Sequence, residues 1–163
     1  MRDRIAEAVE ALRGCLRREA PREVRAMDAA RVIREAGPFR WVGLYEVHAD
    51  EIAVLAWDGP SAPSHPRFPV TQGLNGAAVS SRKPVIVQDV SRDPRYLATL
   101  GSTMAEMIVP VRTASGAVVG TIEVESERVG AFTQADQALL EACAPVLLPL
   151  WPGEAPISDG DAA

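Results

Sequence analysis

The sequence predicts an α+β fold in which helices at both ends of the chain back a mostly antiparallel sheet. Three observations carry this. Apolar residues recur at helical spacing near both ends. Between them lie segments that are rich in β-branched and aromatic residues and alternate in polarity, joined by short turns. No apolar run among the 163 residues is long enough to span a membrane. The chain is 47% hydrophobic and 24% charged, an ordinary profile for one domain with its own core.

Each element has a local reason. Over residues 3–19 the apolar groups Ile5, Ala8, Val9, Leu12 and Leu16 form one helical stripe. Pro21 suits the first turn of a second helix over 21–36, which Gly37-Pro38 ends. Segments 39–46 and 51–57 read as strands, with His48-Ala49-Asp50 as their hairpin turn. A Pro/Ser/Gly loop follows over 58–66, then a short strand at 67–70, a helix at 73–81 and a strand at 84–87. Residues 88–103 form a long connection of the kind that often serves as a lid. Strands at 104–112 and 117–125 flank a Ser115-Gly116 turn. Thr133 and Asp136 form a capping box ahead of a last helix that Pro145 and Pro149 must kink or shorten. The organisation expected is 1–37 for the N-terminal helices, 38–150 for the core with its C-terminal helix, and 151–163 for a disordered tail.

Charge narrows the function classes. Residues 1–40 hold ten Arg against seven acids, a net +3, and residues 41–163 hold seven basic residues against fifteen acids, a net −8. A body this acidic is not expected to bind nucleic acid. The charged N-terminus is no signal peptide, so a cytoplasmic location and no membrane partner are expected. Cys15, Cys143 and only two His make no zinc-type cluster, so neither metal nor cofactor is expected.

Candidate site residues emerge from strand alternation. In the last strand Val118, Ile122 and Val124 share one face, while Val119, Thr121, Glu123 and Glu125 share the other. Glu123 and Glu125 then stand about 7 Å apart, two residues along a strand. Glu106 enters the preceding strand and can join them. On the first strand Trp41, Gly43 and Tyr45 share a face. If that is the carboxylates' face, the two aromatics and the acids make a cup suited to an amine or other cation. If not, Trp41 and Tyr45 are core, and the acids line a wet surface.

The residues VPVRTASGAVVGTIEVESERVGAFTQADQALLEACA and GLNGAAVSSRKPVIVQDVSRDPRYLA resemble the corresponding parts of GAF domains, over about residues 38–148. The resemblance implies a central antiparallel sheet, terminal helices on one face and a loop-enclosed ligand pocket on the other. Within the family the chain is most similar to the free methionine-(R)-sulfoxide reductases, through Trp41-Val42-Gly43-Leu44-Tyr45, through Glu106 before the apolar-Pro strand, and through Glu123-Val124-Glu125. That likeness implies that the three acids hold the ammonium of a free amino acid and that the aromatics pack around its side chain. It also places His65, Asn75 and Thr99 at the positions where those reductases carry thiols. Sulfoxide reduction needs an attacking thiolate and a resolving thiol, which His, Asn and Thr do not supply. Glu125-Ser126 stands where cyclic-nucleotide GAF domains have Asn-Lys, and the lid has no cysteine for a bilin.

The reading that follows is a binding or sensory module for a small amine or amino-acid-like ligand, with no catalytic residue. Its candidate ligand residues are Trp41, Tyr45, Glu106, Glu123, Glu125, Asn75, Thr99 and His65. The alternatives are a reductase-like enzyme, or a signalling partner that forms a homodimer through the apolar stripes of its terminal helices. The remaining residues leave no room for an effector domain, so any output is expected to pass through another protein.

Overall fold

A computed structural model describes residues 1–152. Its elements run in the order α1 (Arg2–Arg17), α2 (Arg22–Ala36), β1 (Trp41–Val47), β2 (Glu51–Asp58), β3 (Arg67–Pro69), α3 (Gly73–Ser81), β4 (Val85–Val87), β5 (Ala105–Arg112), β6 (Val118–Ser126) and α4 (Gln134–Leu147). The six strands form one antiparallel sheet in the order β3-β2-β1-β6-β5-β4. The chain is therefore α+β, as its periodicities predict.

The sheet has two unlike faces because each strand alternates. Val42, Leu44, Met107, Val109, Ile122 and Val124 turn toward α1, α2 and α4 and build the main core. The expected helical stripes supply the other half of that core. Ile5, Ala8, Leu12 and Leu16 of α1 pack there, as do Leu139, Leu140, Cys143 and Leu147 of α4. These stripes, which the sequence offers as a dimer contact, are taken up within the chain. Each fully buried Leu or Ile contributes about 1.5–3 kcal/mol by leaving water.

The ends of α4 follow their sequence signals. Thr133 accepts from the Asp136 backbone N–H, and the Asp136 side chain accepts from the Thr133 backbone N–H, completing the capping box. Pro145 sits inside the last turn of α4, and Pro149 falls in a 3₁₀ turn over Leu148–Leu150. Pro21 lies one position before α2, as its N-cap.

Three expectations shift. Val119 does not join the carboxylate face. The β5–β6 register slips between Val111 and Arg112, so Gly120 and Val118 pair while Val119 is left over and packs with the helix-side core. Trp151, read as the start of the tail, is 5% exposed and lies on Gly120, where any side chain would collide with its indole. The expected disordered tail lies, from residue 153 onward, outside the described residues. Part of the lid also has structure of its own. Val90–Arg92 form a 3₁₀ turn, capped by the Asp89 side chain accepting from Ser91 N–H.

Candidate ligand-binding site

Strand register decides which side chains meet. Across β1 and β6, Trp41 pairs with Glu125, Gly43 with Glu123 and Tyr45 with Thr121. Across β5 and β6, Glu106 pairs with Glu125 and Ile108 with Glu123. Paired residues of antiparallel strands point to the same side. Trp41, Tyr45, Glu106, Glu123 and Glu125 therefore share the face away from the terminal helices. Loops and α3 cover that face completely: Glu106, Glu123 and Glu125 are 3%, 1% and 0% exposed.

One oxygen from each of the three carboxylates lies within 4.8 Å of the others. Among the described residues no ion pair reaches any of them. Two ionised carboxylates at that separation repel by about 3–4 kcal/mol at the effective dielectric of a protein site. The result is a pronounced shift in proton affinity. Burial first, then the charges of Glu123, Glu125 and Asp93, push the Glu106 carboxyl well above its ordinary value. Burial and then Glu125 raise Glu123, although hydrogen bonds from Thr99 and Asn75 favour its ionised form. Burial and the same three carboxylates push the Tyr45 phenol well up.

Polar groups from α3 and the lid converge on these acids. On α3, Asn75 donates through Nδ2 to Glu123 Oε2 at 2.5 Å, and its Oδ1 accepts from Thr121 Oγ1 at 2.5 Å. From the lid, Thr99 Oγ1 donates to Glu123 Oε1 at 2.9 Å and Thr103 Oγ1 donates to Glu125 Oε2 at 2.5 Å. Both oxygens of Glu123 are thus occupied by donors. Glu106 Oε2 and Glu125 Oε1 are buried without any partner. His65 is exposed at the rim, with Nδ1 against the Ala98 carbonyl at 2.8 Å, joining the 58–66 loop to the lid.

The aromatic residues stand beside the acids in a packed layer. Trp41 and Tyr45 lie 6.5 Å apart between ring centroids, and Tyr45 meets Phe68 edge-on at 5.8 Å. Trp41 Nε1 donates to the Ser61 carbonyl, which ties down the Pro/Ser/Gly loop. The enclosed space over Glu106 and Glu123 is small, about 10 Å³, and its walls include His65, Phe68, Leu74, Asn75, Leu97 and Thr99. That is about room for one water. Of the predicted residues, His65, Asn75, Thr99, Glu106 and Glu123 line it directly, while Glu125, Trp41 and Tyr45 stand behind them. An open groove of about 940 Å³ between α3 and the lid shares Gly73 and Leu97 with this space, so those two residues form the partition.

Thr103, Phe68 and Tyr96 are site residues that the sequence reading does not single out. The Tyr96 hydroxyl is buried without a partner, and burial followed by the Glu125 charge raises its pKa to about 12. Thr103 and Tyr96 belong to the lid, where no periodicity marks which side chain turns inward. Phe68 was legible only as a member of a short strand.

The two cysteines lie elsewhere. Cys143 is buried on α4 within the helix-side core, and Cys15 is on α1. The sheet therefore separates Cys143 from the carboxylates.

Comparison with known proteins agrees with this geometry. A family model described as the GAF domain matches residues 24–146. GAF domain-containing protein A of Dictyostelium discoideum is 30% identical over 109 residues, which cover 66% of this chain and 67% of that protein. The free methionine-R-sulfoxide reductase of Saccharomyces cerevisiae is 29% identical over 110 residues, covering 66% of this chain but only 60% of the yeast protein. Among solved structures, the type II free methionine-R-sulfoxide reductase from Thermoplasma acidophilum superposes with a TM-score of 0.74 at 31% identity, over 79% of this chain and 91% of that one. By sequence match, fold and the two-faced sheet, the chain belongs to the GAF domain family.

Proposed function

We propose that this GAF domain is a binding module for a small amine or amino-acid-like ligand, whose ammonium group is taken up by Glu106, Glu123 and Glu125. The observation that carries the proposal is the pair of unpartnered oxygens, Glu106 Oε2 and Glu125 Oε1, in a buried acidic cluster that no cationic side chain among the described residues pairs with. An unpaired buried acceptor costs about 1–3 kcal/mol, more when charged, and an ammonium with three donors removes that cost. Similarity to proteins named as free methionine-R-sulfoxide reductases supports a ligand of amino-acid type.

The small enclosed volume means that such a ligand enters only when the lid lifts. Thr99 and Thr103 leave Glu123 and Glu125 as it does so, and the ammonium replaces their hydroxyl donors. Asn75 is positioned by Thr121 and keeps Glu123 oriented throughout. This reading includes no thiol chemistry at the cup: it takes His65, Asn75 and Thr99 to stand at the reductases' thiol positions, as the sequence resemblance implies, and Cys143 packs behind the sheet.

A thermal-shift screen of amino acids, methionine sulfoxide and small amines tests the proposal. At least one compound with a free ammonium should raise the melting temperature by several degrees, and Glu125→Gln should abolish that rise. A screen without a hit, or hits indifferent to Glu125→Gln, would overturn it. Incubation with free methionine sulfoxide and a dithiol should give no turnover.

A further inference from the structure

We propose that, in the closed form of the domain, Glu106, Glu123 and Glu125 form a site for one hard divalent cation of the Ca²⁺ type. The inference gives the same three carboxylates a second class of occupant, in the closed form, and does not depend on the amine reading.

Geometry comes first. Ca²⁺ takes oxygen ligands at about 2.3–2.6 Å, so opposed ligands of one ion stand about 5 Å apart. The three carboxylates each offer an oxygen within 4.8 Å of the others, a spacing that one such ion can bridge. They come from β5 and β6, rigid neighbouring strands, with Glu106 and Glu125 directly paired. Three carboxylates together offer up to six oxygens, which meets the lower end of the Ca²⁺ requirement without added water.

The donor set and the available space point to the same class of ion. The ligand atoms on offer are carboxylate oxygens, and the imidazole that lines the enclosed space, His65, is held at its exposed rim by the Ala98 carbonyl; oxygens alone favour a hard cation. The enclosed space of about 10 Å³, which Glu106 and Glu123 line and Glu125 stands behind, accepts something the size of one water. Mg²⁺ holds several of its waters and demands a near-ideal octahedron, so a dry, closed cluster suits it less than Ca²⁺.

Independent of the clustering, two buried oxygens aim at nothing in the chain. Glu106 is 3% exposed and its Oε2 has no partner; Glu125 is 0% exposed and its Oε1 has none. A dication would satisfy both and cancel two of the three charges. The competing relief is a proton on Glu106, which needs no ion. The spacing of Cys and His in the sequence offers no metal site. The carboxylates become a set only through strand register.

The test uses the whole chain, stripped with a chelator and transferred to metal-free buffer at neutral pH. Titration with CaCl₂ alone, followed by calorimetry and melting temperature, should show one site per chain and a rise of several degrees. Binding should weaken at least tenfold in Glu106→Gln, and MgCl₂ should bind at least tenfold more weakly than CaCl₂. Glu106→Gln removes a buried charge, so its own melting temperature without metal serves as the folding control. A second variant, Glu125→Gln, should show the same loss. Absence of Ca²⁺ binding overturns the proposal in favour of protonated glutamates. Equal binding by Mg²⁺, or binding unchanged in both variants, overturns it in favour of surface carboxylates. An amine that binds while Ca²⁺ does not would sink this proposal and leave the amine reading standing; the reverse result would do the opposite.

Discussion

Glu106 shows how one residue couples burial to stability. Its carboxyl titrates well above the ordinary value of 4.5 when folded, because of burial and then of Glu123 and Glu125. A carboxyl with a raised folded-state pKa binds its proton more tightly folded than unfolded. Its contribution is therefore greatest below about pH 4.5 and is lost as pH rises through the folded value. Glu106→Gln, which keeps the shape and removes the titration, should stabilise the ligand-free protein at pH 7 by about 1–3 kcal/mol. Urea unfolding at pH 5 and pH 8 checks this: the gap between variant and wild type should widen at the higher pH. Gly43 is the second decisive residue. A Cβ there would lie 2.4 Å from the Trp41 ring and 2.8 Å from Tyr45, both rings being essentially buried. Gly43→Ala should cost about 1–3 kcal/mol by overpacking and shift the tryptophan fluorescence.

At the scale of the element, α4 depends on its capping box. Thr133→Ala removes the side-chain acceptor for the Asp136 N–H and should lower stability by about 1 kcal/mol, measured by chemical denaturation. Asp136 also pairs with Arg4 of α1 at 2.9 Å, so the cap joins the two terminal helices. Burial alone would raise the Asp136 pKa, but hydrogen bonds from the Thr133 backbone, Arg4 and the Thr133 hydroxyl outweigh it and leave the value lowered. Its contribution is thus present above the ordinary value of 3.8 and lost as pH falls through the folded one. Acid unfolding should begin at higher pH in Arg4→Ala than in the wild type, followed by circular dichroism. Other elements owe less to local signals. The lid has one 3₁₀ turn and two Asx-type contacts, at Asp89 and Asp93. Its order rests on long-range contacts: Thr99 and Thr103 bond to buried glutamates, Ser64 and His65 bond to the Thr99 and Ala98 carbonyls, and Val90 N–H donates to the Met104 carbonyl.

For the whole molecule, the sheet divides the chain into a helix-side core and an acidic cup on the other face, and the cysteines report on that division. Burial pushes the Cys143 thiol up to about 12, whereas Cys15 is half-buried and raised by burial and then by Asp28. A thiol reagent should therefore modify only Cys15 in the native protein and both residues after unfolding. Native labelling of both thiols would mean that α4 is not packed as described. Among the described residues no helix is long and apolar enough to cross a membrane.

How much of this was legible beforehand depends on the range of the interaction. Helical stripes, strand alternation, the hairpin at His48–Asp50 and the Thr133–Asp136 cap are local, repeating within a turn or a pleat, and were readable from residue order. So was the grouping of Glu123 with Glu125, because alternate residues of a strand must share a face. The sequence alone left open whether Trp41 and Tyr45 faced the acids or the core, since both faces of a covered sheet accept aromatics. Only the pairing of β1 with β6, eighty residues apart, settled that. The same holds for Glu106 beside Glu125, for Thr103 turning inward from an aperiodic lid, and for Val119 displaced by a slip in register. These are contacts between segments whose mutual alignment is set by the packing of the whole sheet. No residue order records that alignment, because its energy comes from burying all six strands at once.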